Sequence, residues 1–207
     1  VVLLAAVTGA SRAVFFATEV GQVALVDEWE RTALSFGQAV DDSRYAQFQA
    51  LSQNGPMYGV ATALANGPVL TFATAAVVFL AFRRGPEGEA VPGQAVSFSQ
   101  VLSVLAHASV ILAIRQVVSV PISYARETTA SATSLGVWFP TLDATAPIAR
   151  FVGALDMFVI WWVVVVALGV AVLYQRRAAS MTAAFLGVYA GVALVMAVTM
   201  TALGGTA

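Results

Sequence analysis

Cysteine is absent from this 207-residue chain, so no disulfide, thiolate nucleophile or Cys-ligated metal enters its chemistry. With a single histidine, His107, a multi-histidine metal centre is excluded as well. Lysine is missing altogether. Together with the richness in Ala and Val, this marks GC-rich coding and carries no functional weight. Charge is scarce: 10% of residues are charged, against about 25% in a soluble domain. That excludes an ordinary cytosolic enzyme, which could not cover its surface with so few charges. It also excludes a nucleic-acid partner, which would demand a basic patch. The formal net charge of −1 provides no global field to steer a charged ligand.

Apolar sequence is abundant. Hydrophobic residues make up 59% of the chain and the mean hydropathy is +0.84. Five long apolar runs predict an all-α, polytopic membrane bundle with five transmembrane helices in a single domain, residues 1–207. The runs are Val1–Ala17, Met57–Phe82, Phe98–Tyr124, Phe151–Tyr174 and Met181–Leu203. Val1 already sits in the first run, without the basic stretch of a signal peptide, so a cytoplasmic amino-terminal extension is expected to be missing. Asn66-Gly67-Pro68 interrupts the second run and predicts either a kink or a broken helix.

Arginines set the expected orientation. Arg83 and Arg84 follow the second run and Arg176 and Arg177 join the last two, which places both loops inside. The segment 19–56 carries Glu19, Asp27, Glu28, Glu30, Asp41 and Asp42 against Arg31 and Arg44, and should lie outside. Five alternating spans then put the amino terminus in the cytoplasm and the carboxyl terminus outside a bacterial cytoplasmic membrane. Within the outer segment, Trp29, Ala33, Phe36, Val40, Phe48 and Leu51 recur mostly at helical spacing, predicting one amphipathic helix over Asp27–Leu51. It would serve as a cap on the span ends or as a docking surface. Leu135–Pro140 is apolar and too short to span, so it should dip into the interface or pack on the bundle. Trp29, Trp138 and Trp161 are the expected interface anchors.

Ionisable groups inside a membrane are costly and need partners. Arg12, Arg115 and Asp156 all fall in the outer halves of their runs, with Glu19 just beyond. Arg115 and Asp156 are expected to pair directly or through one water, with Arg12 and Glu19 nearby. The cluster is then either a structural ion pair fixing helix register or a polar site for an ion, proton or lipid headgroup. His107 should be a neutral, hydrogen-bonded core residue. Ala183, Gly187 and Gly191 stand four residues apart in the last run, where small residues permit close helix packing or a subunit contact. No zinc-protease helix, nucleophile elbow or phosphate loop is present.

One stretch adds more. Ser134-Leu135-Gly136-Val137-Trp138-Phe139-Pro140 leads through a turn to Ala154-Leu155-Asp156-Met157-Phe158-Val159-Ile160-Trp161-Trp162. A long apolar run containing Gly169 follows, then Arg176-Arg177-Ala178-Ala179-Ser180 and the last span. With the Phe98-Ser99-Gln100 entry to the middle run, this resembles the bacterial branch of the Yip (Ypt-interacting protein) membrane-domain family. The resemblance covers most of the chain. It implies a non-catalytic integral membrane protein without cofactor, in which Asp156, Phe158 and Trp161 serve packing and anchoring. Eukaryotic members bind small prenylated GTPases, a role that does not carry over by itself to a bacterial-type sequence.

The reading that emerges is a membrane scaffold or accessory subunit of a larger assembly. Its expected partners are membrane lipids and either other membrane subunits or further copies of itself. The alternative is a small transporter or lipid-handling protein using the polar intramembrane site.

Overall fold

The computed structural model describes residues 1–82, 96–142 and 146–204. Nine α-helices occur among them: α1 Val2–Phe16, α2 Glu19–Ser35, α3 Asp42–Ser52, α4 Gly55–Phe82, α5 Phe98–Ala108, α6 Val110–Ala125, α7 Pro147–Ala154, α8 Met157–Leu173 and α9 Ala178–Gly204. The expected inside loop 85–94 and the final residues 205–207 lie outside the described residues.

Among the described residues, three helices are long and apolar enough to cross a bilayer: α4, the continuous α5–α6 rod over Phe98–Ala125, and α9. A fourth crossing arises if α1 and α2, bent by 103°, count as one span. The first and fourth expected runs become shorter helices, α1 with 15 residues and α8 with 17. Each falls short of the roughly 20 residues that cover a hydrocarbon core. Both are shortened by polar chemistry at one end. Thr18 caps α2, accepting from the Gly21 amide at 3.0 Å, and turns the chain away from α1. Asp156 caps α8 and separates it from α7.

The single amphipathic helix expected over Asp27–Leu51 is instead two. At Gly37 the backbone enters the left-handed region (φ 68°), and the Gln38 amide donates to the Ala33 carbonyl at 2.9 Å. This closes α2 in the manner of a Schellman turn. Asp41 then restarts the chain as the N-cap of α3, accepting from the Arg44 amide at 2.8 Å. Trp29 joins the pieces, its ring 5.9 Å from Phe48 on α3 and edge-on at 5.4 Å to Tyr58 on α4.

α4 runs unbroken through Pro68. Its small residues Gly55, Gly59, Ala63 and Gly67 meet Phe16, Arg12, Gly9 and Ala5 of α1. As one helix advances a turn the other steps back a turn, so the two are antiparallel. A methyl added at Gly59 would come 2.9 Å from Arg12 Cβ, which requires glycine there. The main core lies towards the other end of the bundle. Ala75 and Val78 of α4, Val101, Leu105 and Ala108 of α5, Val166, Val170 and Ala171 of α8, and Met181 of α9 are buried together there. Gly169 lets α8 press onto Val104 of α5, because a Cβ at that position would overlap the valine methyls. The outward faces stay apolar: Val77, Val117, Val172, Val188 and Val195 are each more than half exposed. Exposed apolar surface on this scale suits a lipid environment.

Candidate functional site

The local sequence explains why Asp156 is buried. An aspartate directly before a 17-residue apolar helix is an N-cap signal, and Leu155 and Asp156 have extended backbone angles between α7 and α8. The expected continuous fourth span from Phe151 is therefore interrupted. Asp156 is the cap of α8 rather than a residue a turn and a half into a membrane helix.

The cap is doubly committed. Oδ1 accepts from the backbone amides of Phe158 at 2.9 Å and Val159 at 3.2 Å. Oδ2 accepts from Arg115 Nε at 2.9 Å, Ser131 Oγ at 2.7 Å and Thr133 Oγ1 at 2.6 Å. Asp156 is 4% exposed, so this shell replaces water almost completely. Arg115 also donates Nη2 to Ser131 Oγ at 3.1 Å.

The backbone around the break is satisfied as well. The Leu135 amide donates to the Leu155 carbonyl at 2.7 Å, and the Met157 amide to the Thr133 carbonyl at 3.1 Å. Together they form an isolated antiparallel bridge between Ser134 and Asp156. Tyr189 on α9 completes the arrangement. Its hydroxyl donates to the Ala154 carbonyl at 3.0 Å and accepts from the Asp156 amide at 3.1 Å. One carboxylate thus ties α6, the 131–134 segment and the start of α8 together, and α9 joins through the adjoining backbone.

The other residues singled out by sequence divide. Arg12 does not touch Asp156; its Nη1 donates to Thr62 Oγ1 of α4 at 3.3 Å. It nevertheless lines the same cavity as Arg115. Glu19 does not join the cluster. It is exposed in the first turn of α2, where a negative charge complements the helix dipole. His107 is hydrogen-bonded, its Nδ1 2.7 Å from the Ser103 carbonyl, but it lies on an exposed face and not in the core. Among the described residues, nothing in the bundle buries Ala183, Gly187 and Gly191. All three are exposed, and a Cβ built on either glycine meets nothing within 4 Å.

Trp138 and Trp161 are 72% and 50% exposed, whereas Trp29 is half-buried among aromatic rings. Leu135–Trp138 forms a 3-10 turn that packs on α7, with Gly136 close against Gly153.

Sequence reasoning missed Ser131, Thr133 and Tyr189. In sequence, Glu127–Ser134 is small and polar and reads as a loop, yet its hydroxyl density was a signal that a buried charge needed donors. Among the described residues no three His, Asp or Glu side chains come together, so nothing there is arranged to hold a metal. Compared with known proteins, the chain matches no family model, no curated protein and no solved structure.

Proposed function

We propose that this chain is a non-catalytic integral membrane scaffold or accessory subunit. The observation that carries the reading is the saturation of Asp156. Each carboxylate oxygen is occupied by donors of the chain itself, which suits a register-fixing staple and leaves poor access for a substrate or ion. The outward small-residue stripe on α9 supplies a surface for another helix. Membership of the bacterial Yip branch, suggested by the Leu155-Asp156, Phe158 and Trp161 pattern, fits this non-catalytic role.

The same reading takes α1 and α8 as crossing helices. Each packs beside a full-length neighbour, α1 on α4 and α8 on α9, so five alternating passes with the amino terminus inside remain the proposed topology. α2 and α3 then lie across the outer end. Single cysteines at Glu89 and Ser43, labelled in intact cells with an impermeant thiol reagent, test this. Labelling at 43 alone supports the orientation and labelling at 89 alone reverses it. The scaffold role is tested by Gly187→Leu, with the protein purified in mild detergent. Loss of copurifying subunits or of self-association, at unchanged thermal stability, supports it. A wild-type chain that is monomeric and free of partners at native expression levels contradicts it.

A further inference from the structure

Beside the Asp156 staple lies a cavity of about 140 Å³ between α1, α2, α4 and α6 and the 129–131 segment. At about 30 Å³ for each water it has room for several, or for one compact polar group. Arg12 and Arg115 reach it from α1 and α6, Glu28 from α2, and Phe15 and Phe16 form an apolar wall. The staple accounts for Nε and Nη2 of Arg115. Arg12 has one neutral partner, Thr62, and no carboxylate within 4 Å among the described residues. Ser119 Oγ, also on the cavity lining, is buried with no hydrogen-bond partner. An unneutralised guanidinium in a bundle of apolar helices, next to a buried orphan hydroxyl, is a costly combination. An anionic oxygen ligand would relieve both. Arginine suits phosphate especially well, because its fork of donors matches two phosphate oxygens.

Glu28 narrows the ligand further. It lines the same cavity, is exposed, and has no arginine nitrogen within 4 Å of its carboxylate among the described residues, so it is open to a cationic group. The matching chemistry is a phosphate tethered to an ammonium. We propose that this cavity binds the headgroup of an amine-bearing phospholipid. Arg12 and the remaining N–H groups of Arg115 hold the phosphate, Ser119 donates to it, and Glu28 receives the ammonium. The proposal is independent of the scaffold reading: it shares Arg115 with the staple but uses the N–H groups that the staple leaves over, and it survives if no partner subunit exists.

The test is lipid binding to the full-length, delipidated chain, measured by native mass spectrometry and by thermal shift. The probes are phosphatidylethanolamine, phosphatidylglycerol, phosphatidylcholine and soluble phosphoethanolamine. Wild type should bind phosphatidylethanolamine at least tenfold more tightly than phosphatidylcholine. Arg12→Gln should weaken phosphatidylethanolamine and phosphatidylglycerol about tenfold. Glu28→Gln should weaken phosphatidylethanolamine several-fold and leave phosphatidylglycerol unchanged or tighter. If Arg12→Gln does not fold, Glu28→Gln and Ser119→Ala decide, the latter with an expected few-fold loss at unchanged melting temperature. Equal affinity for all three lipids, or wild-type binding in the variants that fold, would overturn the site. A thermal shift from soluble phosphoethanolamine as large as that from the lipid would overturn the lipid assignment in favour of a free zwitterion.

Discussion

On α4, Gly55, Gly59, Ala63 and Gly67 press against α1, while on α9, Ala183, Gly187 and Gly191 stand at the same spacing and face outward. The same pattern therefore serves two purposes in one chain. On α4 it lets a short helix of 15 residues sit deep against a long one. On α9 it leaves a smooth strip that none of the described residues packs against. What separates the two is not the motif but the partner. α1 presents Arg12 and Phe16, bulky residues that need a recess, whereas none of the described residues comes within 4 Å of a Cβ built on Gly187. Small residues at four-residue intervals thus identify a helix able to be approached closely, without saying by what.

If inward contacts carry the stability of the fold, the largest loss should come from Asp156. Asp156→Leu removes five accepted hydrogen bonds and strands Arg115, so a cost of about 3–5 kcal/mol is expected. Arg115→Met leaves the carboxylate its two hydroxyl and two amide donors and should cost less, about 1.5–3 kcal/mol. The double variant should recover part of the combined loss but not the cap of α8. Thermal unfolding of the four proteins in detergent reads the cycle, and strictly additive losses would show that the two residues are uncoupled.

The two stripes can be set against each other directly. Gly59→Ala drives a methyl into Arg12 and Phe16, which should destabilise by about 1–3 kcal/mol before the helix-propensity gain of about 1 kcal/mol. Gly187→Ala meets open space, so the same measurement should show no loss and at most that propensity gain. Equal effects at the two positions would erase the distinction between a closed and an open stripe.

The smallest effect concerns the outer segment. Asp41 is held below its ordinary carboxylate value of 3.8, chiefly by the Arg44 amide and then by the Ser43 hydroxyl. A carboxylate with a lowered folded value contributes fully above its unfolded value. That contribution disappears as pH falls through the lowered one. Protection of the first-turn amides of α3 should therefore decline below about pH 3.8, and Asp41→Asn should flatten that decline. A decline of the same size in the variant would assign it to another group.

Much of this was legible in the residues. The apolar runs located every long helix because their length and composition leave little alternative in a chain so poor in charge. Arg115 and Asp156 could be matched by depth alone, since a buried charge needs its opposite. What stayed hidden was how polar caps cut apolar runs. Asp156 reads as one charge within a long hydrophobic stretch, and only its position before α8 reveals a cap. Gly37 likewise looks like a tolerable glycine in an amphipathic pattern until its left-handed backbone ends α2. The α4 seam went unread because Pro68 draws attention to a break, while the glycines that precede it serve packing.

Tyr189 gives the break between α7 and α8 a consequence in time. The Ala154 carbonyl and the Asp156 amide both depend on a hydroxyl from α9, which is synthesised after α8. Until α9 has entered the membrane, the α7–α8 junction holds a carbonyl and an amide that lipid cannot satisfy. Assembly therefore has a built-in order: α8 can insert early, but its polar end is completed only when α9 packs against it. A truncation before Tyr189 should leave that junction open to an insertase or a quality-control protease, so docking of α9 reports that the α7–α8 break has been closed.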